Sequence, residues 1–169
     1  APLFPWADGT PGDPAKAVPR LTRWRFDLAA NSDEFKSERL DDLACEFPRL
    51  DERFTATNYR YGFFAADNNP KFKVGGFNGI GRVDHESGNT EIHDVGEACA
   101  TNEPIFVPKS EDSPEGEGFV LANVYDANRK ASHLLVLDAQ NVAAEPLAKA
   151  YLDPRVPFGF HGNWAPMAN

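Results

Sequence analysis

The sequence predicts an all-β fold, and three observations predict it. Apolar residues recur with a period of two beyond the first twenty positions, turn signals separate short runs, and only one segment carries even a partial helical stripe. Residues 1–19 are rich in Pro, Gly and Ala and read as a surface loop or linker. Trp24, Phe26 and Leu28 then alternate with polar partners, as do Tyr59, Tyr61 and Phe63, and both runs read as half-buried strands. Residues 32–43 open with an N-cap and an acidic first turn, but Phe35, Leu40 and Leu43 make an incomplete stripe. That segment reads as a loop leading into a strand. Further strands are expected at 39–46, 79–84, 90–93, 105–108, 118–125, 145–151 and 159–164, and Leu134-Leu135-Val136-Leu137 suits a strand buried on both faces. This spacing is that of a sandwich or a propeller. Propeller blades are four-stranded, so roughly ten strands would make two to three of them, with raw blade faces that need the rest of a ring.

Composition narrows the function classes. With 41% apolar and 12% aromatic residues in 169 positions, the chain is globular and long enough for a core. A net charge of −9 and the scatter of its basic residues argue against nucleic acid, which requires a cationic footprint. No apolar stretch reaches the length of a membrane span and no signal segment opens the chain, so the expected setting is the cytoplasm. Cys45 and Cys99 are too few and too far apart for a disulfide framework or a structural zinc site, and are expected as reduced thiols.

Three segments concentrate the chemistry. Arg155-Val156-Pro157-Phe158-Gly159-Phe160-His161-Gly162-Asn163-Trp164 sets one histidine between glycines, in an aromatic run expected to be buried. An imidazole there needs a partner, and a metal is one; a core histidine bonded to a backbone carbonyl is the other reading. Leu43-Ala44-Cys45-Glu46-Phe47-Pro48 and Asn102-Glu103-Pro104-Ile105-Phe106-Val107-Pro108 each hold a single carboxylate in an apolar run. Buried carboxylates are costly unless paired, and one use for them is to orient ligating imidazoles; pairing with an arginine at a strand edge is the alternative.

These segments, with Gly118-Phe119-Val120-Leu121, Val124-Tyr125-Asp126 and Leu134-Leu135-Val136-Leu137-Asp138-Ala139 between them, resemble the C-terminal end of the carotenoid cleavage oxygenase family, and Cys45-Glu46-Phe47-Pro48-Arg49 resembles its upstream glutamate motif. The resemblance implies a seven-bladed β-propeller with a non-haem Fe(II) on its axis, held by four histidines that three glutamates support. Members insert O2 across a C=C bond of a carotenoid, apocarotenoid or stilbenoid to give two carbonyl products. His161 falls on the last iron ligand and Glu46 and Glu103 on two of the supporting carboxylates, with the pairing of glutamates to imidazoles open. Phe158 and Phe160 flank the ligand and are expected to line the site of a small apolar or aromatic alkene substrate. The chain looks more like the bacterial members that cut stilbenoids to aldehydes than like the carotenoid-cleaving ones.

Family chains are much longer, and their other iron ligands lie upstream of the matched segments. Residues 20–169 are therefore expected to be the C-terminal blades of one propeller domain. The N-terminal part would be a partner, as a separate chain or as the missing portion of this one, and the piece alone would be inactive. A non-catalytic propeller or sandwich binding module, with His161 structural, is the reading from a different class.

Other motifs read as structural. His85 and His93 lie among Asp84, Glu86, Glu91 and Asp94, but Glu86-Ser87-Gly88-Asn89 is a turn signal, so a polar hairpin is expected rather than a metal cluster. His133 is expected at the surface. Gly75-Gly76-Phe77-Asn78-Gly79-Ile80-Gly81 lacks the helix a phosphate loop requires, and the acidic stretch 110–118 lacks calcium-loop periodicity and reads as a solvated connection. Phe63, Phe64 and Trp164 read as core, and no nucleophile elbow is present.

Overall fold

The structure, a computed structural model, describes residues 5–13, 17–68 and 76–166. Parts of the N-terminal loop and Gly75 of the glycine-rich segment lie outside them. The described residues form strands β1 (Arg20–Phe26), β2 (Phe35–Leu50), β3 (Tyr61–Ala66), β4 (Gly79–Asp84), β5 (Thr90–Asp94), β6 (Cys99–Thr101), β7 (Ile105–Pro108), β8 (Gly118–Asp126), β9 (Ala131–Asp138) and β10 (Ala148–Tyr151). The only helical turn among them is a 3-10 turn at Glu52–Phe54, capped by the Asp51 side chain. The all-β expectation holds because period-two patterning dominates wherever apolar residues are dense.

The chain divides into two compact units, Ala1–Ala44 and Cys45–Asn169. In the first, β1 pairs antiparallel with the N-terminal half of β2. Trp24 and Phe26, expected half-buried, are 63% and 58% exposed. A two-stranded hairpin has no opposing layer within this unit, so Trp24, Phe26 and Phe35 cover one another instead, with ring centroids 5.2–5.6 Å apart.

In the second unit the C-terminal half of β2 continues into a meander ordered β2, β3, β4, β5, all antiparallel. A second antiparallel sheet runs β10, β9, β8, β6, and β7 pairs with the other end of β8. Sequence neighbours pairing in four-stranded sheets is the construction of propeller blades. One core serves both sheets: Phe63 stacks on Phe106 at 5.4 Å, and Ile80, Val120, Val124, Leu135 and Leu137 close around them. Each such side chain contributes about 1.5–3 kcal/mol on burial. Phe64, on the other face of β3, is equally buried, and a Cβ on Gly81 would lie 2.3 Å from its ring. Only glycine lets that ring lie on β4.

Several local expectations change. β2 begins at Phe35, so the loop expected to lead into a strand at 39 is shorter, and residues 35–38 are already strand. β6 has three residues, too few for alternation to reveal. Residues 134–137 alternate, with Leu135 and Leu137 fully buried and Leu134 and Val136 half-buried, because only one face of β9 meets the core. His133 is 5% exposed rather than at the surface, lying against the Tyr151 ring. The acidic loop is docked rather than solvated: Glu115 Oε1 accepts from the Arg60 and Tyr61 amides at 2.6 and 2.9 Å, and Arg53 donates to the carbonyls of Ser110, Glu111 and Ser113. The hairpin between β4 and β5 forms as expected, with Gly88 at φ +75°. Residues 159–164 form no strand.

Candidate metal centre

Within the second unit, β2 carries a bulge at which its register moves from Glu46↔Ala65 to Arg49↔Phe63, so that Phe47 and Pro48 together face Phe64. Phe47 takes the left-handed conformation, φ +55°, and its ring meets the His161 imidazole edge-on at 5.8 Å. Pro48 brings no N–H to the ladder, which suits a bulge.

Glu103 lies in the short link between β6 and β7 and is 6% exposed. A carboxylate so buried must be matched by donors, and three converge on it. Its Oε2 accepts from the Gly162 amide at 2.9 Å and lies 3.1 Å from Arg49 Nη1, while Oε1 accepts from His161 Nδ1 at 3.2 Å. Burial pushes the Glu103 carboxyl upward, but Gly162, His161 and Arg49 outweigh it and hold the group below the ordinary glutamate value. It is a fixed anion.

The stretch 155–164 is irregular because side chains, not a ladder, take up its backbone groups. The Val156 amide donates to Ser132 Oγ at 3.0 Å, Arg49 Nη1 to the Gly162 carbonyl at 3.1 Å, and Asn163 Oδ1 accepts from the Trp164 amide at 2.8 Å. The aromatic run expected to be buried is exposed, with Phe158 at 62%, Phe160 at 78% and Trp164 at 50%. The pocket beside Phe158, about 20 Å³ and lined by Thr101, Tyr125, Ser132 and Arg155 among others, has the size of a water site, not of an aromatic ligand.

The His161 side chain is 74% exposed while its Nδ1 is tied to the buried Glu103. An ionised carboxylate only accepts, so Nδ1 carries a proton, and in the neutral ring the lone pair is then on Nε2, which is the tautomer a metal requires. His161 and Glu103 thus fit one imidazole donor and its supporting carboxylate. The described residues contain no group of three or more His, Cys, Asp or Glu able to hold an ion. Glu46, half-buried on β2, lies on the same sheet face as Arg49 by register. The other histidines are placed elsewhere: His85 against Tyr59, His93 on β5 with burial holding it below the ordinary value, and His133 in the β9 core with Nδ1 unpartnered among the described residues. The arginine pairing weighed as the alternative for Glu103 is also present, and Arg49, which the sequence did not single out, is the partner.

Comparison with known proteins decides the lineage. The family model described as Retinal pigment epithelial membrane protein matches residues 4–166. The chain belongs to the carotenoid cleavage oxygenase family. Similar proteins include isoeugenol monooxygenase of Pseudomonas nitroreducens, 39% identical over 96% of this chain and 36% of that protein. Lignostilbene-α,β-dioxygenase isozyme III of Sphingomonas paucimobilis is 39% identical over 97% of this chain and 35% of its own length. The crystal structure of Pseudomonas brassicacearum lignostilbene dioxygenase superposes with a TM-score of 0.87 at 34% identity, covering 98% of this chain and 36% of that one. The chain therefore spans about a third of the length of these family members. Its fold is a partial β-propeller of the carotenoid cleavage oxygenase kind. No helix among the described residues is long and apolar enough to cross a membrane.

Proposed function

We propose that residues 20–169 are the C-terminal blades of a single propeller domain in a non-haem Fe(II) dioxygenase that cleaves the C=C bond of a stilbenoid with O2, giving two aldehydes. The observation that carries this is the Glu103–His161 pair, a buried carboxylate 3.2 Å from Nδ1 of an exposed imidazole, which leaves Nε2 as the ring nitrogen open to a metal. His161 Nε2 is the iron donor and Glu103 its orienting carboxylate. Glu46 accepts from an imidazole supplied by the remaining blades, in the same polypeptide or in a separate chain, and Phe158 and Phe160 flank the alkene. Iron held by neutral imidazoles supplies open coordination positions for dioxygen. This chain's part is to hold one donor nitrogen, keep its proton on the far side of the ring, and present apolar surface to the substrate.

Stilbenoid is favoured over carotenoid because the two proteins at 39% identity are named for aryl alkenes, isoeugenol and lignostilbene. Cys45 and Cys99 are not joined in a disulfide, which suits a reducing cytoplasm. In the protein complete with its remaining blades, His161→Ala should abolish iron binding and turnover, and anomalous scattering should place iron about 2.1 Å from His161 Nε2, as for other metal–imidazole bonds. Retained iron in that variant would sink the ligand assignment.

A further inference from the structure

We propose that Arg49 is the positioning residue of this metal centre, setting His161 through two separate grips; the inference rests on His161 being an iron ligand. The Arg49 side chain is 17% exposed, and its Nη1 is engaged beside Gly162. Nη1 lies 3.1 Å from both Glu103 Oε2 and the Gly162 carbonyl. The Gly162 amide in turn donates to that same Oε2 at 2.9 Å. The residue following the ligand is thus held at its N–H by Glu103 and at its C=O by Arg49, and Glu103 is held by Arg49 as well.

The consequence for the imidazole is geometric. With Oε2 occupied by Arg49 and Gly162, the carboxylate cannot rotate without losing an ion pair and a charge-assisted hydrogen bond, so Oε1 is left to His161 Nδ1 alone. The guanidinium is itself aimed from behind: Nη2 pairs with Glu52 Oε1 and donates to Asn163 Oδ1 at 3.3 Å, and Asn163 Nδ2 reaches Glu52 Oε2 at 3.5 Å. A planar fork with two usable edges fits this arrangement; an ammonium on a flexible stem reaches one acceptor well and the others poorly.

The test uses the protein complete with all its blades and compares wild type, Arg49→Met, Arg49→Lys and His161→Ala. The readouts are the Fe(II) dissociation constant by chelator competition and the visible ligand-field spectrum of the Co(II)-substituted protein, which reports the coordination sphere independently of turnover. Arg49→Met should weaken Fe(II) binding about 10- to 100-fold, the usual cost of losing an outer partner, and alter the Co(II) bands. Arg49→Lys should recover part of the affinity without restoring the spectrum. Wild-type affinity and spectrum in Arg49→Met overturn the proposal; if that variant does not fold, wild-type values in Arg49→Lys overturn it equally. His161→Ala separates the two levels: if it keeps iron, the ligand reading fails, whereas if it loses iron and the Arg49 variants do not, only the role of Arg49 fails.

Discussion

Replacing Glu103 by glutamine changes one oxygen to NH2 and little in volume, yet the hydrogen-bond arithmetic no longer closes. Three donors now serve two acceptor oxygens: Gly162 N–H at 2.9 Å and Arg49 at 3.1 Å on Oε2, His161 Nδ1 at 3.2 Å on Oε1. A glutamine has one acceptor oxygen and can turn only two ways. With the amide oxygen toward Gly162 and Arg49, its NH2 faces His161 Nδ1, which must then accept. The imidazole proton moves to Nε2, and the ligand nitrogen is blocked. With the oxygen toward His161, the NH2 faces two donors in a site 6% exposed, leaving the Gly162 amide unsatisfied and Arg49 Nη1 with the Gly162 carbonyl alone. The first orientation keeps more bonds, so Glu103→Gln should convert His161 to the tautomer that cannot bind metal. The expected loss of Fe(II) affinity is about 10- to 100-fold, or about 1.4–2.8 kcal/mol. Chelator competition on the protein complete with its other ligands measures it. An unchanged dissociation constant would refute the assignment of Glu103 as the acceptor that sets the tautomer.

Two further predictions concern the scaffold. Gly81→Ala places a Cβ 2.3 Å from the Phe64 ring, which is 1% exposed and has nowhere to go, so overpacking should cost about 1–3 kcal/mol and lower the melting temperature by roughly 2–10 °C. An unaltered melting curve would mean that the ring is not pinned. Asp84 is held far below the ordinary aspartate value by the two-pronged Arg60 guanidinium, against burial and with help from the Glu86 and Ser87 amides. As the pH falls below about 4, the unfolded chain takes up this proton first, so the stability from the pair is complete above that pH and drains away below it. Asp84→Asn should therefore be less stable than wild type at pH 6, with the gap narrowing toward pH 3, and a gap constant with pH would disprove the linkage.

Much of the fold was legible because alternation is a local signal. Tyr61 to Phe63 announce β3 by alternation; Leu134 to Leu137 announce β9 as a continuous apolar run, which hid that only one face is fully buried. Trp24 and Phe26 misled on burial for the same reason: the pattern reports a face, but a second layer must exist to bury it. Residues 159–164 misled on conformation, since an aromatic run reads as strand while their backbone bonds go to Arg49, Glu103 and Asn163, which no local pattern encodes. At the site, His161 and Glu103 stood out as isolated polar groups in apolar runs. Their contact spans 58 residues and emerges only from the fold, and Arg49 was hidden by being an ordinary charged residue near a strand end.

The bulge in β2 carries a consequence for how this strand tolerates length changes. Residues three apart on a regular strand point to opposite sides, yet Glu46 and Arg49 share one side, because their partners Ala65 and Phe63 are two apart on β3. Deleting Pro48 would leave both on that side with regular pairing, so the ladder has no use for the additional residue. What would vanish is the left-handed turn at Phe47 and, with it, the aromatic edge lying against His161. The strand is one residue longer than its pairing requires, and the surplus is spent on the imidazole.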